Sequence, residues 1–183
     1  MPDDEFRVRF ERVVMPHLDA AYNLARWLTR DAHDAEDVVQ EAMLRAYRYF
    51  RALRGASARP WLLTIVRRSF YEWLTANRPA EIDRNFDQDL LGSQADRTTV
   101  GPEQVALRRA ENATLAEAIA ALPVGFREVL ILRELEELSY KEIAHIVDIP
   151  IGTVMSRLAR ARGLLQKSPL LESVRGSAAG GER

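Results

Sequence analysis

The 183-residue chain carries 26 Lys and Arg against 27 Asp and Glu, a net charge of −1, and 47% of it is hydrophobic. That composition supports a buried core in one domain or two small ones and excludes a globally disordered chain. With no cysteine, disulfides, thiolate zinc sites and cysteine nucleophiles are excluded, and the three histidines, His17, His33 and His145, have no ligand spacing. The near-zero total places any case for a polyanionic partner on local charge distribution. No apolar run approaches the ~20 residues of a transmembrane helix. The first ten residues, MPDDEFRVRF, lack the basic and apolar regions of a signal peptide. The sequence reads as a soluble intracellular protein, not itself inserted in a membrane.

Residues 6–28 place Phe6, Phe10, Val13 and Val14, then Leu18, Ala21, Tyr22, Leu24, Ala25 and Leu28, at helical period, with Pro16 dividing the run. A polar stretch over 29–33 marks a turn. A second helix is expected from Asp34 or Ala35 to about Phe50, DAEDVVQEAMLRAYRYF, with Val38, Val39, Ala42, Met43 and Ala46 inward. Its acidic start and basic end complement the helix dipole. Residues 54–60, RGASARP, read as a loop punctuated by Gly and Pro. A helix then follows over 61–75 with Leu62, Ile65, Val66 and Phe70 inside and Trp61, Arg67, Arg68, Tyr71 and Trp73 setting cations beside aromatics.

From 77 to 102 the periodicity stops. Glu81, Asp83, Asp87, Asp89 and Asp96 outweigh Arg78, Arg84 and Arg97, and Pro79, Gly92, Gly101 and Pro102 interrupt the run. This is an acidic linker with a short apolar anchor at Phe86, Leu90 and Leu91, spanning roughly 25–30 Å as a coil. Helices resume over 103–122 and 125–136, the latter with Phe126, Val129, Leu130 and Leu132 apolar.

Residues 139–167, SYKEIAHIVDIPIGTVMSRLARARGLLQK, organise the rest. Ser139 and Glu142 form a capping box. Ile143, Ala144 and Val147 make one apolar stripe, and Asp148-Ile149-Pro150 stops the helix. Thr153 is expected to cap a second helix with Val154, Leu158 and Ala161 inward and Met155, Ser156, Arg157, Arg160 and Arg162 outward. A short helix, a tight turn and a second helix with a basic outer face form the helix-turn-helix pattern. Lys141, Arg157, Arg160, Arg162 and Lys167 oppose only Glu142 and Asp148, a local excess of three positive charges. Ser168-Pro169 closes this helix, and a small polar tail follows. No strand-like alternation appears. The expectation is an all-α chain in two small helical domains: residues 1–77, a linker over 78–102, residues 103–170, and a disordered tail over 171–183.

The stretch from AEAIAALPVGFREVLILRELEELSYKEIA through IPIGTVMSRLARAR resembles region 4 of bacterial sigma factors of the extracytoplasmic-function type, within the sigma-70 family. DAEDVVQEAMLRAYRYF followed by ARPWLLTIVRR resembles their region 2. The similarity covers about residues 10–76 and 103–167, in the family's order and with an acidic linker between. It implies three surfaces. The second helix of the hairpin would read the promoter −35 element through Thr153, Met155, Ser156, Arg157 and Arg160, combining phosphate clamping with base-edge contacts. Met155 stands where the family often carries Lys or Arg and implies an apolar contact. Asp148 occupies a turn position where Gly is common.

In region 2, Asp34, Glu36, Asp37, Gln40 and Glu41 would dock on the β′ clamp helices of core RNA polymerase, with the β flap a further contact of the chain. Arg54, Ser57, Arg59, Trp61, Arg67, Arg68 and Tyr71 would capture the unstacked −10 strand, aromatics stacking on bases and arginines holding phosphates. Trp61 is equally suited to the core, and Arg68 falls where the family often has Asn. The resemblance also implies a cognate anti-sigma factor. No cofactor is implied, and no catalytic set or glycine-rich phosphate loop is present. The alternatives are a sigma-like decoy that sequesters an anti-sigma factor and a stand-alone helix-turn-helix regulator.

Overall fold

The computed structural model describes residues 3–54, 57–82 and 105–171. Among them every regular element is helical: α1 (Asp3–Val14), α2 (Leu18–Thr29), α3 (Ala32–Tyr49), α4 (Ala58–Asn77), α5 (Val105–Ala120), α6 (Val124–Glu134), α7 (Tyr140–Val147) and α8 (Ile151–Gln166). No helix among the described residues is long and apolar enough to cross a membrane.

The first unit is built on α2, α3 and α4, which pack on one another. Ala21 and Ala25 of α2 and Ala35, Ala42 and Ala46 of α3 are fully buried, so small side chains line the facing surfaces of these helices. Leu24, Leu28, Leu62, Leu63, Val66, Phe70 and Leu74 fill the remaining core. As the periodicity predicts, Pro16 divides α1 from α2, within a single 3-10 turn. Phe6 and Phe10 of α1 then meet Tyr47 and Phe50 edge-to-face at 5.0–5.5 Å, an arrangement the ring quadrupoles favour.

Two helix starts differ from the sequence expectation. Helix α3 begins at Ala32 because Asp31, not Asp34, caps it: its carboxylate accepts from the backbone N–H groups of His33 at 2.8 Å and Asp34 at 3.0 Å. The bond from Asp34 leads in holding the Asp31 carboxyl below its usual range. Arg30, left-handed at φ 63°, ends α2 just before it. Helix α4 begins at Ala58, so Arg59 and Pro60, expected in a loop, form its first turn, where a proline's missing N–H costs nothing. Residues 78–82, expected in the linker, are fastened to the first unit. Arg78 pairs with Asp34 at 2.9 Å, Glu81 with Arg30 at 3.0 Å, and Ile82 packs on the core. The apolar anchor at Phe86, Leu90 and Leu91 and the tail beyond residue 171 lie outside the described residues.

The second unit packs α6, α7 and α8 around Val129, Leu132, Ile143, Ile146, Val154, Leu158 and Ala161. Ser139 caps α7 through the expected capping box: its hydroxyl accepts from the Glu142 N–H at 3.2 Å, and the Glu142 carboxylate accepts from the Ser139 N–H at 2.8 Å. That second bond holds the Glu142 carboxyl below its ordinary range. Ser139→Ala is expected to lower stability by about 1 kcal/mol, measured by urea unfolding followed by circular dichroism.

The two units touch. Helix α6 lies against α2 and α7 against α4, and one apolar cluster runs through both.

Candidate functional site

Helices α7 and α8 form the hairpin the sequence predicts. Asp148 sits at φ 59° and ψ 51°, the left-handed geometry that glycine supplies at such turns and that a short polar side chain tolerates. The Ile149 N–H donates to the Ala144 carbonyl at 3.1 Å, closing α7. Helix α8 starts at Ile151, with Pro150 in the capping position, three residues earlier than the cap expected at Thr153. Thr153 is therefore not the cap. Its N–H already donates to the Pro150 carbonyl at 2.9 Å, and its own carbonyl accepts from the Ser156 hydroxyl at 3.1 Å. On the outer face Met155 (51% exposed), Ser156 and Arg160 are open to solvent, together with Ile151. Arg162 is tied to Glu134 at 2.6 Å. Arg157 is drawn inward, its guanidinium 3.8 Å from the Glu128 carboxylate.

The acidic face of α3 divides in two. Glu36, Asp37 and Gln40 are exposed. Asp34 is held by Arg78, and Glu41 by Arg45 at 2.7 Å, an arginine that also grips Glu72 at 2.6 Å. Beside the exposed residues lies a groove of about 340 Å³ lined by Leu18, Asp19, Tyr22, Glu36, Val39 and Gln40. The sequence reading omitted Asp19. Its signal was present, since Asp19 and Tyr22 stand three residues apart on one face of α2.

The residues expected on the −10 strand do not form one open surface. Arg54, Ser57 and Arg68 are exposed, and Trp61 is half-buried against the core. Arg67 and Tyr71 instead face α6, and Arg59 the residues just after it. Arg59 forms an ion pair with Glu136. Arg67 donates to Glu128 through Nε at 2.9 Å and Nη2 at 3.3 Å, and the Tyr71 hydroxyl donates to the same carboxylate at 3.1 Å. The Arg67 guanidinium also lies over the Tyr71 ring, 4.6 Å from its centre. Burial, then the Glu128 charge, raises the Tyr71 phenol well above its usual value. Burial opposes ionisation of Arg67, but the Glu128 carboxylate more than offsets it and raises that guanidinium's pKa.

Helix α6 supplies charged residues that sequence reasoning missed. Glu128 is 1% exposed and Arg127 2%. Glu136, just beyond the helix, is 3% exposed. Arg127 donates to the carbonyls of Ala120 at 2.8 Å, Leu122 at 2.6 Å and, across to the first unit, Leu28 at 3.1 Å.

This architecture has known counterparts. The sigma-70 region 2 profile matches residues 13–79, and the sigma-70 region 4 profile matches residues 113–165. The RNA polymerase sigma-H factor of Pseudomonas aeruginosa is 36% identical over 169 residues, 88% of each chain. The ECF RNA polymerase sigma-E factor of Escherichia coli is 38% identical over 134 residues, 70% of each chain. Among solved structures, the sigma factor RpoE of Bartonella quintana, crystallised with the anti-sigma factor NepR, superposes with a TM-score of 0.67 at 26% identity, covering 90% of this chain and 97% of its own. Two sigma regions in order along one chain, and relatives aligned over most of their length, establish that the protein belongs to the extracytoplasmic-function sigma factors of the sigma-70 family.

Proposed function

We propose that this protein is an alternative sigma factor that binds core RNA polymerase through α3 and directs it to promoters read at −35 by α8 and at −10 by α4 and the segment before it. The observation that carries the reading is the placement of two chemically distinct exposed faces on one chain. Glu36, Asp37 and Gln40 stand beside a largely apolar groove, and Met155, Ser156 and Arg160 stand on the outer face of a helix-turn-helix. Acidic and amide groups around an apolar groove suit a basic-rimmed protein surface such as the β′ clamp helices. A cation and a hydroxyl on a protruding helix suit a major groove, where Met155 would meet a thymine methyl.

The −10 role falls to Arg54, Ser57, Arg59, Trp61, Arg67, Arg68 and Tyr71, and Arg68 is the exposed phosphate contact of α4. Asp34 and Glu41 support the polymerase face through their ion pairs with Arg78 and Arg45. Arg157 and Thr153 complete the −35 face. The domain division that fits is region 2 through residue 82, a linker to about 104, and region 4 from there to about 170. The protein acts without catalysis or cofactor of its own. It works in the cytoplasm, with an anti-sigma factor as its regulator and the β flap as a contact of region 4.

Run-off transcription with purified core polymerase and fragmented genomic DNA from the source organism tests the whole reading. New transcripts that depend on the protein and share a −35/−10 pattern are expected. Absence of any core binding would favour the decoy. Arg160→Ala is expected to weaken use of the −35 element by about 1–3 kcal/mol. The check is transcription from promoters carrying each −35 substitution, and an unchanged preference would count against the assignment.

A further inference from the structure

Two large apolar side chains stand in solvent on α8, the helix read above as the −35 surface. Ile151 is 45% exposed and Met155 51%. Four residues apart, they lie on one flank of the helix, about 40° from each other around its axis. Val154, Leu158 and Ala161 already seal α8 to the core, so the fold leaves this pair over. Thr153 and Arg160 occupy the other flank. Between the flanks, opposite the buried stripe, run Gly152, Ser156 and Ala159, all small and all exposed. A Cβ added at Gly152 meets nothing within 4 Å. Neither packing nor its helical backbone therefore calls for glycine, a residue that weakens helices. What glycine does supply there is room for another surface to approach the main chain.

We propose that Ile151 and Met155 form an apolar strip that sets −35 specificity by reading the C5-methyl groups of two thymines, with Gly152, Ser156 and Ala159 letting α8 seat deeply in the major groove. The inference deepens the −35 reading of α8 and rests on it. Thymine is the one base that presents a methyl group in that groove. An alkyl or thioether side chain offers no strong hydrogen bond to the polar edges of the other bases, and covering such an edge strips its water without return. Apolar contact with a methyl group is favourable instead.

The geometry limits which thymines qualify. Residues at the start of a recognition helix are the ones that reach base edges, and Ile151 and Met155 lie in the first two turns of α8. Their separation along the axis is about 6 Å, less than two base-pair steps of ~3.4 Å. The two thymines therefore lie one or two steps apart. Ile151, branched at Cβ and stiff at χ1, presents a fixed surface. Met155, unbranched, adapts to the methyl group it meets.

The test uses holoenzyme assembled from the full chain and purified core polymerase, on promoters recovered by the run-off experiment. Their −35 duplex is rebuilt from synthetic strands in which one thymine at a time is replaced by uracil, which deletes only the methyl group. Transcription is expected to fall about fourfold at each of two positions, the effect of taking one methyl from a buried apolar contact, and to hold elsewhere. Met155→Ala should abolish the sensitivity at one of these positions and Ile151→Ala at the other. Met155→Arg should move the preference at its position to a pair carrying guanine, whose N7 and O6 accept from a guanidinium. Gly152→Ala should raise the melting temperature slightly while lowering −35-dependent transcription, a pairing that a purely structural glycine would not give. A loss of stability in that variant would assign the glycine to the fold and overturn the seating. If no uracil matters, or if both positions stay sensitive in both alanine variants, the methyl readout is overturned; a change of −35 use in Arg160→Ala would then leave the −35 reading standing. If Ile151→Ala, Met155→Ala and Arg160→Ala all leave −35 use unchanged, α8 is not the reader and the inference falls with that reading. Ile151, Met155 and Arg160 are exposed, so their variants are expected to keep the parent circular dichroism.

Discussion

Replacing Glu36 and Asp37 together with arginine is expected to abolish assembly with core RNA polymerase and leave the fold intact. Both side chains are exposed on the first turns of α3, and neither takes part in an ion pair among the described residues. Both lie beyond the first turn of α3, where complementation of the helix dipole has faded, so their local contribution is small and the melting temperature should fall only slightly. At an interface with a basic surface the change is far larger. Two attractions become two like-charge contacts, a swing of several kcal/mol that takes a nanomolar complex to micromolar or weaker. Co-elution with core polymerase and a thermal melt on the same preparation provide both readouts. Retained core binding would remove α3 from the interface. Asp34 would be a poor choice for this experiment, because its loss also frees Arg78.

Arg127→Ala is expected to be the most damaging single substitution in region 4, costing about 3 kcal/mol or more. The guanidinium is buried, and its hydrogen-bond acceptors among the described residues include no carboxylate. It is held by the Ala120 and Leu122 carbonyls at the end of α5 and by Leu28 at the end of α2. Helix C-termini carry partial negative charge, so aligned carbonyls take the place of a counter-ion. Truncation leaves those acceptors unsatisfied and opens a cavity, each worth on the order of 1–3 kcal/mol. In a domain this small the melting transition should drop by more than about 10 °C, followed by circular dichroism. Burial, and then the Arg30 charge, pull the Arg127 pKa down from 12.5 to about 10. Because the folded value lies below the ordinary one, ionisation of this group opposes folding. That opposition is complete below about pH 10 and is relieved only above it, so stability between pH 6 and 9 should carry no slope from Arg127.

The helices were legible in the sequence because their signals are local. Pro16 and Pro150 break helices by removing a donor and fixing φ, Ser139 and Glu142 cap within one turn, and Val154, Leu158 and Ala161 share one face. Misplaced boundaries arose where two local signals competed. Asp31 and Asp34 are both good caps, and Pro60 reads as a breaker although the first turn of α4 accommodates it. Thr153 looked like a cap only while Pro150 was counted as the end of one helix rather than the start of the next. The polar interface was illegible for a different reason. Arg127 and Glu128 sit in a run of apolar residues and look like the solvated edge of an amphipathic helix, yet their partners Leu28, Arg67 and Tyr71 lie 57 to 99 residues away. No spacing rule within α6 encodes that. The same hidden pairing split the expected −10 set, turning Arg59, Arg67 and Tyr71 inward and leaving Arg68 outside.

The contact from Arg127 to the main chain of Leu28 has a consequence for how the two domains can diverge in sequence. An acceptor supplied by the backbone is present whatever side chain position 28 carries, so this joint constrains only one of its two members. Substitutions at 28 can be selected for core packing alone, and no compensating change at 127 is required. Arg67 and Glu128 are different: exchanging either alone strands a buried charge, and only a paired exchange preserves the contact. A double-mutant cycle should therefore find strong coupling between 67 and 128 and almost none between 127 and 28, although both pairs bridge the same boundary.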